Sequence, residues 1–468
     1  MNDERAIRSI AVAGAGIVGL SAALAFARTL PGTHISIIET PGEPVALADL
    51  LPTAHPTIAR FHALIGLNEI ELVRSGIATH HLGTIFEGWS ANGDPWVHAF
   101  SNYGKPADGV PFDQVWVQAH RLGKALPYDR YATGAALARA GKFVHPARDP
   151  NVIASRFLYG LRLDPELYRE RLRSIADESS VAIQASEISK IDLRTDRGIE
   201  RLQLADGKSV EADLFVDCTG PEARLLSALD GSFEDWSPWM PFDRVALASR
   251  PSDPVPSSAD AATTTGEGWS VELPLRGRTL TAHVGTREGV PMRRGRRPRL
   301  WVRNVLALGD AATCLDPLHG FHLELVHQAI LLALELLPGR DFPDVETNEY
   351  NRRAELITHR VRDFIALHYL LGPWKSVAGM EPPESLARTL DQFGYRGRIP
   401  FHEDEIVSRD SWTAALLSLG VIPRNVDPQA AVIPLQQVIP AMERLTAEID
   451  RFAASAPSYG DYLARMMR

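Results

Sequence analysis

Residues 9–29, SIAVAGAGIVGLSAALAFART, decide the fold. A short apolar run is followed by Gly14, Gly16 and Gly19 in a GxGxxG spacing, and then by an alanine-rich segment. This order predicts a buried strand, a tight turn and a helix. The first glycine permits the turn, the second lets backbone approach a pyrophosphate, and the third lets the helix pack closely. A phosphate can bind at such a helix N-terminus without a basic side chain.

The next strand carries an acidic residue at its end. HISIIE ends at Glu39, twenty residues after Gly19. A carboxylate at this spacing accepts hydrogen bonds from an adenosine ribose and disfavours a 2′-phosphate. Strand, glycines, helix and acid together predict a dinucleotide site, and the alternative is a glycine-rich turn alone.

Two distant segments indicate which dinucleotide is bound. They are residues 211–223 and residues 304–337. In each segment an apolar strand is followed by a turn that contains glycine, and in the second segment a long helix follows the turn. In flavoproteins an acid in such a segment meets the ribityl chain, and the helix N-terminus faces the flavin pyrimidine ring. The positions predicted to bind FAD, besides those of the first segment, are Thr219, Gly220, Gly309, Asp310, Pro317 and Gly320.

The composition argues against several kinds of partner and site. A net charge of −9 gives no general reason to attract DNA or an anionic membrane surface. Neither nucleic acid nor a membrane is therefore expected as a partner. Cys218 and Cys314 lack CxxC or Cys/His spacing, so no disulfide framework or zinc site is predicted, and a reducing cytoplasm fits this usage.

The chain resembles the flavin-dependent tryptophan halogenase family along most of its length. Matching segments include GAGIVGLSAALAFA, LDPELYRERL, DLFVDCTG, GWSVELPL and NVLALGDAATCLDPLHG. The helical pattern YNRRAELITHRVRDFIALHY, residues 350–369, is associated with this family and not with flavoproteins generally. The resemblance implies an oxidoreductase that uses FAD and O2 and acts on an aromatic small molecule or peptide. Its flavin would be reduced by NAD(P)H directly or by a separate NAD(P)H-dependent flavin reductase.

The resemblance also implies the domain organisation. The expected fold class is α/β (α+β), with a Rossmann-like FAD-binding module of the flavin monooxygenase type and an interleaved substrate module. We expect the FAD module to lie discontinuously within residues 1–340, at about 1–45, 155–240 and 300–335, with inserted segments covering the substrate. Residues 341–468 are expected to be mainly helical.

Four departures from the family pattern fall at positions expected to carry chemistry. His81 stands where the family has a lysine before a Leu-Gly pair, and Val271 replaces the second tryptophan of the WxWxIP signature that begins at Trp269. His319 replaces a glutamate beside the halide pocket, and residues 51–53 read LPT where the family has GEA. These departures weaken lysine-dependent halogenation and remove one obstacle to hydroxylation.

Three histidines are the candidate catalytic residues. His81 can exchange a proton near neutral pH, the alternative being a packing histidine beside His80. His319 and His322 precede a helix near the expected flavin ring, where each could donate a hydrogen bond to a reacting oxygen or merely pack. Together with His327 their spacing does not converge on one helix face, so no metal site is predicted.

Aromatic side chains are the candidates for substrate binding, because tryptophan offers a broad apolar face and one donor. Trp89, Trp269 and Phe321 are the predicted contacts, and Trp96 and Trp116 are further candidates. A core role is the alternative for each tryptophan, although Trp269 keeps the first position of the family signature.

Two compositionally biased stretches are interpreted as surface features. Residues 251–268 are rich in Pro, Ser and Thr and predict a loop. Residues 293–299, RRGRRPR, predict a solvated hairpin rim, with a phosphate or an acidic partner as the alternative ligand.

The sequence therefore predicts an FAD-dependent monooxygenase of the tryptophan-halogenase-like type. It would hydroxylate an indole or tryptophan side chain, free or peptidyl, through a flavin C4a-hydroperoxide. One alternative is a flavin-dependent tryptophan or indole halogenase with altered catalytic residues, which a halide-dependent product would reveal. The other is a catalytically degenerate flavin-fold binding protein.

Overall fold

The computed structural model describes residues 6–41, 45–90, 92–107, 109–179, 181–253, 255–375 and 381–467. The chain divides into two compact units. Unit 1 comprises Met1–Ala78, Leu163–Ser237 and Val290–His359, and unit 2 comprises Thr79–Arg162, Pro238–Gly289 and Arg360–Arg468.

A six-stranded sheet forms the centre of unit 1. All of its neighbouring strands are parallel except the first two in its order, which form an antiparallel pair. The strand Ser9–Ala13, which precedes the glycines, is central, and all of its residues after Ser9 are buried. This is expected for a parallel sheet that is covered on both faces. The order is Trp301–Val302, Val305–Ala307, Leu214–Asp217, Ser9–Ala13, His34–Glu39 and Val181–Ala185.

The register brings several strand ends to one edge of this sheet. Ala13 lies opposite both Ile38 and Asp217, and Asp217 lies opposite Ala307. The segments that follow these strands therefore start side by side at the carboxyl edge. Open α/β sheets bind their ligands at this edge.

Helices of unit 1 begin at signals that the sequence shows. Ile17–Thr29 starts directly after the glycine turn, and its first ten residues are all buried. Asp164 caps Pro165–Glu178 by accepting the N–H groups of Glu166 and Leu167 at 3.2 Å, and proline suits the first position because no N–H is needed there. The other helices of this unit are Leu47–Leu50, Ile58–Ile65, Glu69–Arg74, Arg224–Leu229 and Phe321–Glu335.

Short strands complete unit 1, outside its main sheet. They are Thr53–Ala54, Ile188–Leu193, Ile199–Leu204, Ser209–Glu211, Glu234–Asp235, Val290–Pro291, Gly295–Arg296 and Thr313–Cys314.

Six strands of unit 2 form another sheet, antiparallel except at one pair. The exception is the parallel pair of Asp260–Thr264 with Gly83–Glu87, in which Asp260 lies opposite Thr84. The order is Arg244–Pro251, Arg278–Val284, Trp269–Pro274, Asp260–Thr264, Gly83–Glu87 and Trp96–Ala99. The short strands Ala78–His81 and Gly160–Leu163 lie where the chain divides between the units.

The prediction that residues 251–268 form a loop is wrong for Asp260–Thr264. These five residues are a strand with partners on both sides. An Asp-Ala-Ala-Thr-Thr segment carries little strand propensity of its own, and pairing with a distant partner decides its structure.

Helices dominate the C-terminal part of the chain, and no strand occurs after Cys314 among the residues described. The mixed α/β fold class with a helical C-terminal region is thus confirmed. None of the helices that the structure describes combines the length and the apolar composition needed to cross a bilayer. The remaining helices are Phe112–Arg121, Thr133–Arg139, Asp344–Leu371, Glu384–Arg396, Arg409–Ser418, Pro428–Ala431, Leu435–Ser455 and Tyr459–Met466.

Candidate active site

The glycine turn of unit 1 has the tight geometry that its spacing predicts. Gly14 has a φ of +111°, and a Cβ placed there would overlap the carbonyl oxygen of Cys218. A Cβ on Gly19 would overlap the carbonyl oxygen of Gly14 itself. Side chains are therefore excluded from both positions by neighbouring backbone, which gives the turn the close packing that its glycines permit.

A cavity of about 130 Å³ lies at this carboxyl edge of the sheet. Its lining combines the segments that follow three neighbouring strands and includes the predicted FAD residues Glu39, Thr219 and Gly220. It also includes Arg169, which the sequence analysis did not single out and whose guanidinium suits a pyrophosphate. The full lining is Gly14, Ala15, Gly16, Glu39, Thr40, Pro41, Val45, Ala46, Asp49, Arg169, Cys218, Thr219 and Gly220.

An anionic side chain occupies the N-terminus of the fingerprint helix, Ile17–Thr29. The Asp49 carboxylate accepts the N–H of Val18 at 3.3 Å, and it stands in for an anion at this position. Burial raises the pKa of Asp49 to about 6. The glycine cradle, the anion-accepting helix end and the nearby Arg169 fit the pyrophosphate of a dinucleotide.

Glu39 is oriented at the rim of this cavity by a second arginine. Arg173 forms a two-point ion pair with it, with Nη2 3.0 Å from Oε2. A carboxylate held in this way is a fixed acceptor for ribose hydroxyl groups.

Gly14→Ala is expected to weaken FAD binding by about tenfold or more, because overpacking of this kind costs about 1–3 kcal/mol in a tight site. Titration of flavin-free protein with FAD measures the effect. Gly32→Ala is the matched control, since Gly32 also has a positive φ, +91°, but a Cβ there meets no atom within 4 Å. Equal FAD affinities for the two variants would contradict the expected crowding of the cradle by a Cβ on Gly14.

Asp310 is a buried acid at the predicted ribityl position. Its Oδ2 accepts the N–H of Leu47 at 3.1 Å. Burial, with a smaller contribution from the nearby Asp49, raises the pKa of Asp310 to about 7. Gly309, Asp310 and His322 line a small separate cavity of about 30 Å³.

The raised pKa of Asp310 predicts a pH-dependent stability. The folded protein binds this proton more tightly than the unfolded chain, whose aspartates titrate near pH 4. Stability from this group is therefore present at acid pH and lost as the pH rises from about 4 to about 7. Asp310→Asn should raise the Tm of flavin-free protein more at pH 8 than at pH 5. The same rise in Tm at both pH values would contradict the raised pKa of Asp310.

The other predicted FAD positions are turns in unit 1. The Thr219 hydroxyl donates to Asp217 Oδ1 at 2.6 Å. Gly320 has a φ of +65°, and a Cβ there would lie 2.8 Å from the Cβ of Thr53. Pro317 and Gly320 do not line the cradle cavity, so their contact with FAD stays a prediction.

His319, in the turn before Gly320, and His322, in the first turn of the helix Phe321–Glu335, have different surroundings. His319 is partly exposed with a φ of +63°, and its carbonyl oxygen lies 3.0 Å from His55 Nε2. His322 is buried, and its Nε2 lies 3.1 Å from the carbonyl oxygen of Leu315. Burial lowers the pKa of His322 to about 4, so this ring is neutral at physiological pH. This favours a packing role for His322, and catalytic roles for both residues stay predictions.

His81 belongs to a buried cluster of charged groups in unit 2. Its side chain is 1% exposed, and its Nε2 lies 3.0 Å from Asp260 Oδ2. The other oxygen of Asp260 accepts from Arg162 Nε. His81 Nδ1 is buried without a hydrogen-bond partner among the residues described. Nε2 also lacks hydrogen-bond geometry, but it lies within ion-pair distance of the Asp260 carboxylate, whereas no such group is recorded beside Nδ1 among the described residues.

The charge of Asp260 is stabilised by its two neighbours. Burial alone would raise the pKa of this carboxyl, but the Arg162 guanidinium and His81 more than offset it, so the pKa is lowered. Arg162, itself 0% exposed, also donates to the carbonyl oxygens of Ser257 and Pro274 at 3.0 and 3.2 Å. The carboxylate is therefore ionised and fixed in position.

Backbone pairing positions this cluster. Leu82, next to His81, donates its N–H to the carbonyl oxygen of Ser258 at 2.8 Å. Asp260 lies two residues after Ser258, and it is opposite Thr84 where its strand pairs in parallel with Gly83–Glu87. Asp260 was not apparent from the sequence because only this pairing brings it to His81, and Arg162 was not apparent because it lies on a separate strand, Gly160–Leu163.

The two predicted substrate tryptophans lie in an aromatic core of unit 2. Trp269 Nε1 donates to the Tyr369 hydroxyl at 2.9 Å, and Trp89 Nε1 donates to the carbonyl oxygen of Ala262 at 3.1 Å. Their rings meet edge to face at 5.6 Å. Phe321, in unit 1, is also buried and tilts against His55 at 4.7 Å. Substrate contact by these three residues stays a prediction.

Known proteins resemble the chain over nearly its whole length. The tryptophan halogenase profile matches residues 9–290 and 280–435. The tryptophan 7-halogenase KtzQ of Kutzneria sp. (strain 744) is 24% identical over 99% of both chains. Two solved flavin-dependent halogenases each superpose with a TM-score of 0.91 over 99% of both chains. They are BrvH from Brevundimonas sp. BAL3, 30% identical, and Xcc4156 from Xanthomonas campestris, 26% identical.

These relatives are halogenases and not hydroxylating monooxygenases, so they favour the halogenase alternative over hydroxylation. The matched profile spans both units, including the cradle of unit 1 and the strand that carries Asp260. The chain is therefore an FAD-dependent enzyme that belongs to the tryptophan halogenase family.

Proposed function

We propose that the enzyme halogenates an electron-rich aromatic substrate such as an indole or a tryptophan side chain, and that His81 replaces the lysine of its relatives. The buried arrangement of His81, Asp260 and Arg162 carries this proposal, because it leaves one imidazole nitrogen for proton transfer. Halogenation is supported by the names of the relatives, which include tryptophan 7-halogenase and tryptophan 6-halogenase.

FAD would be held in unit 1 by the glycine cradle, Glu39 and Arg169, with Asp310 at the predicted ribityl position. When bound and reduced, FAD would supply two electrons to O2, and the resulting peroxide-level oxygen would be the oxidant that converts halide to a halogenating agent. A separate flavin reductase is the proposed source of the reduced flavin.

His81 would remove the proton that aromatic substitution releases. Proton transfer to Nδ1 uses the tautomer that carries its proton on Nε2, the nitrogen that faces the Asp260 carboxylate, since this tautomer leaves Nδ1 as an acceptor. As the carbon–halogen bond forms, the C–H bond at that carbon breaks, its electrons restore the aromatic ring, and its proton passes to Nδ1. Asp260 stabilises the resulting imidazolium, and Arg162 keeps Asp260 in place.

Hydroxylation is the second candidate function. It is favoured by Val271, which occupies the strand Trp269–Pro274 where the family signature has its second tryptophan. The two functions differ in product, since hydroxylation adds one oxygen and does not depend on halide.

Mass spectrometry of the products tests the proposal. The protein is supplied with FAD, a flavin reductase, NAD(P)H and O2, and it is offered indole, tryptophan and tryptophan-containing peptides with chloride or bromide. We expect a product with the isotope pattern of the added halogen. A product that gains one oxygen regardless of halide would replace halogenation by hydroxylation, and failure to bind FAD on titration would favour a binding protein without turnover.

A further inference from the structure

Unit 2 contains an aromatic cavity of about 430 Å³, lined by none of the residues assigned above to FAD or proton transfer. This volume lies within the range of small-molecule sites. Trp116 forms part of its wall, stacking on His120 at 4.6 Å and meeting Tyr128 edge to face at 5.4 Å. The complete lining is Ser90, Asn92, Asp94, Pro95, Trp96, Trp116, His120, Ala125, Pro127, Tyr128, Asp129, Leu417, Ser418, Gly420 and Ile422.

The charged groups of the aromatic cavity favour a cation. Its lining contains two carboxylates, and it contains neither lysine nor arginine among the residues described. Asp129 accepts the N–H of Val97 at 2.7 Å and pairs with Arg139, so its charge is compensated. Asp94 accepts from the Asn92 amide at 2.6 Å, and no cation lies within ion-pair distance among the described residues. Asp94 therefore supplies the available negative charge.

Trp96 provides a second, independent indication of a ligand. Its side chain is 5% exposed and stacks on Phe86 at 4.6 Å. Its buried indole N–H has no acceptor among the residues that the structure describes. Leaving a buried donor unpaired costs free energy, which an acceptor on a bound molecule would recover.

A row of rings leads from the aromatic cavity to His81. Trp96, His98 and Phe100 alternate along one strand and its extension, so they share a face. The rings of Trp96 and His98 are 6.2 Å apart, and Phe100 meets His81 edge to face at 5.3 Å. At about 3.3 Å per residue, Trp96 and Phe100 lie about 13 Å apart along the chain.

We propose that this cavity binds the ammonium group of an extended aromatic amine, whose reacting ring reaches His81 along this row. The ammonium would pair with Asp94, the apolar part would pack on Trp116 and Tyr128, and a carbonyl oxygen would accept from Trp96. A span of about 13 Å exceeds a single amino acid and corresponds to a ring and a basic group about three to four residues apart. This substrate class rests on the proposed function, whereas binding of the amine does not require turnover.

Calorimetric binding to flavin-free protein tests the proposal with three peptides. They are acetyl-Trp-Gly-Gly-Lys-amide and its analogues with Gln or Glu in place of Lys. We expect the lysine peptide to bind about tenfold more tightly than the glutamate peptide at low salt, with a smaller ratio at high salt. Asp94→Asn should abolish this preference for the lysine peptide. Trp96→Phe should weaken the binding of all three peptides to the same extent.

Asp149→Asn is the matched control, because Asp149 is also an exposed loop aspartate that accepts from a nearby asparagine, Asn151. This variant should keep the preference for the lysine peptide. Equal affinities of the wild-type protein for the lysine and glutamate peptides, no binding of any peptide, or a preference that survives Asp94→Asn would overturn the proposal. Since none of these outcomes involves a product, they are distinguishable from a failure to halogenate.

Discussion

Replacing His81 by alanine is expected to lower kcat for product formation by about 10² to 10⁴-fold, the usual contribution of a positioned general base. The physical reason is that Nδ1 of this buried ring has no partner among the described residues, while Nε2 lies 3.0 Å from the Asp260 carboxylate, within ion-pair distance. FAD affinity should stay unchanged, because the residues predicted to hold FAD belong to unit 1. Product formation at saturating substrate and FAD titration measure the two quantities separately.

Two further variants sharpen this test. His283→Ala removes a partly exposed histidine from another strand of unit 2 and should leave kcat unchanged. His81→Lys introduces the residue that the family resemblance implies at this position and should retain more activity than His81→Ala, because an ammonium can also carry a proton and pair with Asp260. A kcat for His81→Ala equal to that of the wild type would exclude the proposed proton transfer.

Asp260→Ala is expected to lower the free energy of unfolding by about 3–5 kcal/mol, the usual cost of removing one partner from a buried ion pair. This substitution leaves the guanidinium of Arg162, whose side chain is 0% exposed, without its carboxylate partner. Urea unfolding of the wild type and the variant measures the difference. The effect should also depend on pH. Because the pKa of folded Asp260 is lowered, its contribution is present above about pH 4 and lost as the pH falls further.

A double variant distinguishes a buried charge from a general packing defect. Arg162→Met combined with Asp260→Ala removes both charges, and it should be more stable than Asp260→Ala alone because no uncompensated guanidinium remains. A loss below about 1 kcal/mol for Asp260→Ala, as at an ordinary surface site, would show that the pair is not isolated from solvent.

Much of the FAD module was predictable because its signals are local. The GxGxxG spacing acts through backbone geometry within a few residues, so the turn at Gly14 and the helix after it follow from the chain alone. Glu39 and the Thr219–Gly220 turn line the predicted cavity for the same reason, since each follows an apolar strand. Arg169 was not singled out, because a surface helix carries many charges and only folding selects the one that faces the cradle.

The catalytic prediction was less complete. The resemblance singled out position 81, but no local pattern indicated whether an acid would lie beside His81 or beside its neighbour His80. The two differ in their surroundings. His81 faces the Asp260 carboxylate, whereas the His80 ring stacks on Phe143 at 4.1 Å and its Nδ1 lies 3.0 Å from the Tyr459 hydroxyl.

The sequence by itself determined the α/β class and the glycine cradle, and through the family resemblance it pointed to His81 as a candidate catalytic residue. Each depends on spacing within a short segment or on a pattern that the family shares. Only the tertiary structure decided which carboxylate lies beside His81 and that the indole N–H of Trp96 is unpaired among the described residues. Asp260 reaches His81 through a parallel strand pair whose register no local propensity sets, and Trp96 differs from Trp89 only in what surrounds it after folding.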